Sequence, residues 1–307
     1  MTELTLTEIL SDPNYKILRR LPESLERQAS IQPIGRVFSA VIVDLETIGL
    51  NPKLDPIIEI GLLKFSFTNE EGIIEITDSY NELNDPDRSI PEEITEITGI
   101  TNEDVEGKAI DWNRVTDLLK NCHLVICHNA EFDRNFLELQ TPENIKSIFK
   151  KLPFACTIND VNWKSRGFES QRLDYLNWKL GYFYDAHRAL TDCWATLNLL
   201  LKEEGAFDEL KSNVKKKRII IQAIDAPFDN KDLLKARAYK WNDGVERSPK
   251  CWWTIIFEAY LESEIEFLEN EIYQSIHAAQ RVRYLEVTAS TRYSFREWDT
   301  NVSSTSI

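Results

Sequence analysis

Cysteine is scarce in this chain of 307 residues, and so is basic charge. The five cysteines, Cys122, Cys127, Cys156, Cys193 and Cys251, are odd in number, scattered, and form no C-x-x-C pair. That usage excludes a disulfide framework and suits a reducing compartment, so a cytoplasmic location is expected. The doublets Cys122-His123 and Cys127-His128 invite a zinc reading. They have no second ligand pair at finger spacing, however, and the intervening Leu-Val-Ile reads as a strand, so zinc is set aside. No apolar run approaches the ~18 residues that a membrane span needs. The opening Met1-Thr2-Glu3-Leu4 lacks the basic start and apolar core of a signal peptide, so no export and no membrane are expected. With 36 Lys and Arg against 51 Asp and Glu, the formal charge is −15. Bulk charge alone therefore excludes a protein that coats nucleic acid. The balance is uneven: residues 1–210 hold 21 basic and 37 acidic residues, whereas 211–256 hold 11 and 5.

Hydrophobic residues make up 42% of the chain and aromatics 10%, enough for a sizeable core. The length fits one large domain and a smaller one. Residues 1–36 mix Leu, Ile and Tyr with charges around Pro13, Pro22 and Pro33, and read as a helical extension without evident function. Apolar runs bounded by Asn, Asp, Pro and Gly then predict strands over 37–45, 57–67 and 72–80. Their short connections favour an antiparallel start. Helices are expected at 92–98, 112–120, 131–139, 173–180 and 189–202, with strands at 124–127 and 154–158. Strands first antiparallel and then alternating with helices describe an α/β mixed sheet flanked by helices over residues 37–210.

Chemistry concentrates at the ends of three of these elements. The β-branched run ending Asp44-x-Glu46 places two carboxylates on one face of a strand, where they repel unless a cation lies between them. His128-Asn129-Ala130-Glu131-Phe132-Asp133 stands where a strand becomes a helix, and His187-Arg188-Ala189-Leu190-Thr191-Asp192 opens the longest helix. Taken singly, each has a plain structural explanation: an acidic turn, a helix cap, a surface histidine. Asp192 is harder to dismiss, because an unpartnered carboxylate on an apolar helix face costs several kcal/mol. Together the carboxylates form an oxygen-only set suited to Mg²⁺ or Mn²⁺, with a histidine able to take a proton near neutral pH.

The segments DLETIGL (44–50), HNAEFD (128–133) and HRALTD (187–192), in that order, resemble the three motifs of the DEDDh 3′–5′ exonucleases. That family includes the proofreading epsilon subunit of bacterial DNA polymerase III, RNase T and oligoribonuclease. The likeness spans roughly residues 37–202, and the stretch 90–107 is similar to the family's segment joining sheet and helices. Ile48 departs from the pattern, since many relatives carry a second threonine there. The resemblance implies an RNase H-like fold and two Mg²⁺ (or Mn²⁺) ions held by Asp44, Glu46, Asp133 and Asp192, with His187 acting on the attacking water. Two ions roughly 3.5–4 Å apart would stabilise both the attacking and the leaving oxygen at phosphorus. Thr47, Gly49, Leu50, Asn129 and Phe132 would meet the terminal nucleotide.

Residues 211–307 read as a smaller α+β accessory module. It combines a charged break at 211–218, densest at 215–218 and read either as a solvated linker or as a phosphate contact, a basic and aromatic segment with Phe228, Tyr239, Trp241, Arg247, Trp252 and Trp253, an amphipathic helix over 257–276, a tail over 282–298 able to form a strand or hairpin, and a disordered end. Its aromatics are read either as a single-strand-binding surface or as a small domain's core. The expected function is hydrolysis at the 3′ end of single-stranded nucleic acid, DNA favoured, to nucleoside 5′-monophosphates. An RNA-trimming or oligoribonuclease-like activity with the same site, and a non-catalytic nucleic-acid-binding adaptor, are the alternatives.

Overall fold

Phe38–Thr47 (β1), Ile57–Thr68 (β2) and Gly72–Leu83 (β3) pair antiparallel in sequence order. Leu124–Cys127 (β4) and Phe154–Cys156 (β5) then add in parallel on the other side of β1, giving the order β3-β2-β1-β4-β5. This computed structural model describes residues 5–24, 32–244, 249–275 and 281–298. The chain divides into two compact units, Met1–Asn213 and Val214–Ile307.

In the first unit β1 and β2 are near-continuous apolar runs because both faces of the sheet are covered, whereas β3 at the edge alternates between half-buried and exposed. The helices of seven residues or more are Glu92–Thr98 (α1), Trp112–Leu119 (α2), Ala130–Gln140 (α3), Glu143–Lys151 (α4), Leu173–Lys179 (α5), Ala189–Lys202 (α6) and Ala206–Lys215 (α7). The mixed sheet flanked by helices is the α/β architecture expected from the residue pattern. The N-terminal segment joins this unit: Arg19 and Arg20 pair in parallel with Tyr182 and Phe183.

One contact decides where α6 lies. Gly61 of β2 is the register partner of Asp44, and a Cβ built on it would come within 2.4 Å of the Ala189 carbonyl carbon and 2.5 Å of the Leu190 nitrogen. Only a residue without a side chain lets the first turn of α6 rest on the sheet there. The Cys193 thiol, directed at the Gly61 carbonyl (3.4 Å), marks the same close approach.

Three expectations change. The strand expected over 154–158 ends at Cys156, because the Asp160 carboxylate accepts the Cys156 amide (2.8 Å) and Thr157–Asp160 turns into a helix. The helix α7 runs into the supposed linker as far as Lys215, and Lys211 is buried with its ammonium 4.6 Å from the Phe207 ring centre and paired with Asp208. The amphipathic segment after Phe257 is not one regular helix: Glu258–Tyr260 is 3₁₀, Leu261–Phe267 (α9) is α, and Leu268–Tyr273 is π-helical. Its apolar face contains the buried Glu264, which accepts from the Tyr239 hydroxyl (3.0 Å) and Arg237 (2.8 Å).

The second unit is a four-stranded antiparallel sheet of Arg218–Ile224 (β6), Lys240–Asn242 (β7), Cys251–Phe257 (β8) and Val282–Val287 (β9), ordered β9-β6-β8-β7, with Lys231–Ala236 (α8) and α9. The tail therefore supplies a strand, followed by a 3₁₀ turn at Phe295–Trp298. Tyr239 and Trp252 belong to the core with Ile219, Ile221, Leu268 and Ile272, whereas Phe228 and Trp241 are exposed. Arg247, residue 276 and residues 301–307 lie outside the described residues.

Gly61→Ala is expected to destabilise the first unit by about 1–3 kcal/mol, the range for overpacking a tight contact. Urea denaturation against the wild type measures it; an unchanged midpoint would show that α6 does not depend on this approach.

Candidate active site

The sequence folds so that three chain segments deliver acids to one place. Asp44 and Glu46 leave the end of β1 on the same side, at a register shift in its pairing with β2 between Glu46 and Thr47. Asp133 lies in the first turn of α3, and Asp192 in the first turn of α6. Asp44, Asp133, Asp192, His187, Asn129 and Phe132 line a single cavity of about 500 Å³. Ligand atoms of Glu46, His187 and Asp192 lie within 4.8 Å of one another.

Burial of these acids is electrostatically costly. Asp44 is pushed well above the usual carboxylate range by burial and then by the charges of Asp192, Asp133, Glu46 and Glu59. Burial raises Glu46 to about 8, reinforced by Asp192, Glu59 and Asp133 and opposed by Arg188. Asp133 also rises to about 8 through burial, although the amides of Asp133 and Leu45 and the Cys127 thiol favour its charged form. Asp192 rises to about 6 through burial, with the His187 amide pulling the other way. One Asp192 oxygen accepts that amide at 2.9 Å, while the other, Oδ1, is buried with no partner among the described residues. The Tyr184 hydroxyl stands beside Asp192, also unsatisfied and short of hydrogen-bond geometry. A buried orphan oxygen within a set of hard, mutually repelling carboxylates fits a divalent cation.

His187 is exposed and has a left-handed backbone (φ +68°), a conformation that costs a non-glycine residue free energy. It is pinned on both sides. Its amide bonds Asp192, and the next residue, Arg188, forms a forked ion pair with Glu59 (Nη2 to Oε1 2.8 Å). Glu59 is fully buried on β2 opposite Glu46 and also accepts from the Ala189 amide (3.0 Å) and the Asn81 side chain (2.9 Å). Glu59, Arg188 and Tyr184 were not singled out from the sequence. The signal for Glu59 was present, since a lone acid inside Ile57-Ile58-Glu59-Ile60 needs a buried partner.

His128 is structural. Burial lowers it to about 4, and its ring nitrogens bond the Thr157 hydroxyl (2.6 Å) and the Gln171 carbonyl (2.8 Å), tying the 170–174 wall of the cavity to the end of β4. Asn129 precedes α3 without a side-chain capping bond, and Phe132 packs on Phe136. Thr47, Gly49 and Leu50 are not among the residues lining the cavity. Thr47 is buried and donates to the Gly49 carbonyl (2.5 Å), Leu50 is exposed, and a side chain on Gly49 would strike the Asp55 carboxylate at 2.4 Å.

Residues 41–200 match the RNase T family of exonucleases. The chain belongs to that family. Over 165 residues it is 33% identical to the DNA polymerase III PolC-type of Thermotoga petrophila, covering 53% of this chain and 12% of that protein. It is likewise 34% identical over 165 residues to the 3′-5′ exonuclease DinG of Bacillus subtilis, covering 51% of this chain and 16% of that one. The chain thus spans less than a fifth of the length of these relatives. Among solved structures, E. coli Exonuclease I in complex with a 5cy-dT13 oligonucleotide aligns with a TM-score of 0.45 at 15% identity, over 72% of this chain and 63% of that one. Membership in the RNase T exonuclease family brings with it the RNase H-like fold, in agreement with the mixed sheet.

Acids whose pKa is raised on folding hold protons that the unfolded chain has already released, so they subtract stability as pH rises from ~4, the ordinary carboxylate value, through about 8. Without divalent metal the melting temperature is expected to fall between pH 5 and pH 8.5, and Mg²⁺ to restore it at the upper end. Asp44→Asn should flatten the metal-free profile and weaken the Mg²⁺ response. Scanning calorimetry checks this; identical profiles for both proteins would contradict it.

Proposed function

We propose that the chain is a divalent-metal-dependent 3′–5′ exonuclease acting on single-stranded DNA. The observation that carries this reading is the convergence of Asp44, Asp133 and Asp192, the last with an orphan oxygen, on one cavity with the exposed His187, while Glu46, which does not line that cavity, approaches His187 and Asp192. Family membership and the 3′-5′ exonuclease DinG relative support the reaction class, and the name of the DNA polymerase III relative supports DNA.

Asp44, Glu46, Asp133 and Asp192 would hold Mg²⁺ or Mn²⁺, two ions in the full site, and these would supply charge neutralisation at the reacting phosphate. Asp133 is kept in place by the Leu45 amide, and Asp192 by the His187 amide. His187 takes the proton of the attacking water on its imidazole; its exposure lets it reach a bound strand and pass the proton on to solvent. The Glu59–Arg188 pair holds the His187 backbone in its left-handed turn, and Arg188 also offsets part of the negative charge at Glu46. Phe132 and Asn129 on the cavity wall meet the terminal nucleotide.

Oligonucleotides labelled at either end, DNA and matched RNA, incubated with Mg²⁺ or Mn²⁺ test the proposal. Shortening from the 3′ end with release of nucleoside 5′-monophosphates is expected, faster on DNA. Asp44→Ala should lower kcat by at least about 10³-fold by removing metal-borne charge stabilisation. His187→Ala should lower it by about 10²–10⁴-fold. Equal or faster digestion of RNA would shift the substrate to RNA, and full activity in Asp44→Ala would overturn the site.

A further inference from the structure

The cavity at the carboxylates has a neighbour. A second hollow, of about 530 Å³, shares Ser170, Arg172, Asp174 and Tyr184 with it and is completed by Tyr175, Trp178, Tyr182 and Phe183. Five of its eight lining residues are thus aromatic, and two of these rings are accessible: Trp178 is 43% exposed and Phe183 40%. Large rings left open to water beside an active site represent hydrophobic surface that folding alone would have buried.

Cations surround these rings. The Lys16 ammonium lies 3.8 Å from the centre of the Trp178 ring, the Arg20 guanidinium 4.9 Å from that of Phe183, and the Lys179 ammonium 5.8 Å from that of Tyr175. Arg172 stands in the shared wall. Against these four cations the acids beside the outer rings are Asp174, paired with Arg172, and Asp185, paired with Arg20; Asp192 and Asp44 act on Tyr184 from the carboxylate side. In a chain of net charge −15, whose first 210 residues are its acidic part, this is a local reversal of sign.

Two of the four cations come from the N-terminal segment, for which the sequence alone suggested no role. The segment is laced onto this wall. Arg19 donates its amide to Gly181 and Leu21 to Phe183, both at 2.9 Å, while the Lys16 ammonium donates to the Trp178 carbonyl (2.6 Å) at the end of α5. Lys16 and Arg20 are therefore held at the rings.

We propose that this hollow is a subsite for a nucleotide upstream of the one being removed. An unstacked base lies against Trp178, Phe183 and Tyr175, and the strand's phosphates are met by Lys16, Arg20, Arg172 and Lys179. The inference rests on the nuclease reading above and adds the recognition of strand length to it. Flat rings and cations together select a single strand, because the base faces of a duplex are occupied by stacking. Tyr184, common to both hollows, links the subsite to Asp192.

The test compares decathymidylate with thymidine 5′-monophosphate p-nitrophenyl ester, which has no upstream nucleotide, using the full chain with Mg²⁺. Trp178→Ala is expected to lower kcat/KM for decathymidylate relative to the ester by about 5–150-fold, the span of base–aromatic stacking in alanine substitutions. Trp178→Phe should recover most of that ratio, which a merely structural loss would not do. Arg20→Gln should reduce the slope of log KM against log salt for the oligonucleotide by about 0.7, the value of one phosphate contact on a single strand. An unchanged ratio in Trp178→Ala, or an equal fall on both substrates, overturns the subsite. If the wild type cleaves neither substrate, the nuclease reading fails. The subsite is then judged by the fluorescence anisotropy of labelled decathymidylate in EDTA, where equal binding by wild type and Trp178→Ala rejects it and weaker binding by the variant upholds it.

Discussion

Like charges confined to one buried pocket repel, and the carboxylates at the end of β1 are confined so closely that their proton affinities rise with burial and with one another's presence. The arrangement costs folding free energy, and the surrounding structure is built to withstand it. A glycine on β2 lets α6 approach close enough to bring Asp192 to Asp44. An amide from the strand restrains Asp133, and an amide from the turn restrains Asp192. A cation of charge two would turn this repulsion into binding energy, which is why a site so unfavourable when empty is consistent with metal-dependent chemistry.

The same need for rigidity explains the elements around the acids. His187 occupies a backbone conformation it would not choose by itself, and the buried Glu59 secures it through Arg188 and the first amide of α6. His128, neutral and enclosed, performs the corresponding task on the opposite wall by holding the segment at Gln171. Two histidines that look alike in the sequence, each followed five residues later by an aspartate, thus differ in use. One is exposed at the carboxylates, and the other is locked inside by two hydrogen bonds.

The second unit divides its aromatics between stability and surface. Tyr239 and Trp252 fill a small core that needs large side chains, and the buried Glu264 is satisfied by Tyr239 and Arg237. Trp241 and Phe228 remain exposed, Phe228 with the Lys231 ammonium 4.0 Å from its ring centre. The core reading of its composition therefore holds for Tyr239 and Trp252, and Trp241 and Phe228 stand outside that core.

Much of the first unit was legible from local pattern. The β-branched run into Asp44 and Glu46 specified a strand end with two acids on one side, and helices at 92–98 and 189–202 followed from periodicity. The three ordered motifs indicated which acids would meet. What local pattern did not contain were partners distant in the chain: Glu59 and Arg188 are 129 residues apart, and Lys16 and the Trp178 carbonyl 162. The Gly61 contact, the burial of Lys211 and the end of β5 at Cys156 were likewise decided by what packs or bonds against those residues. Composition and period determine which elements form and which face each one buries. Only tertiary structure decides which buried charge finds a partner, because that depends on where a distant segment comes to rest.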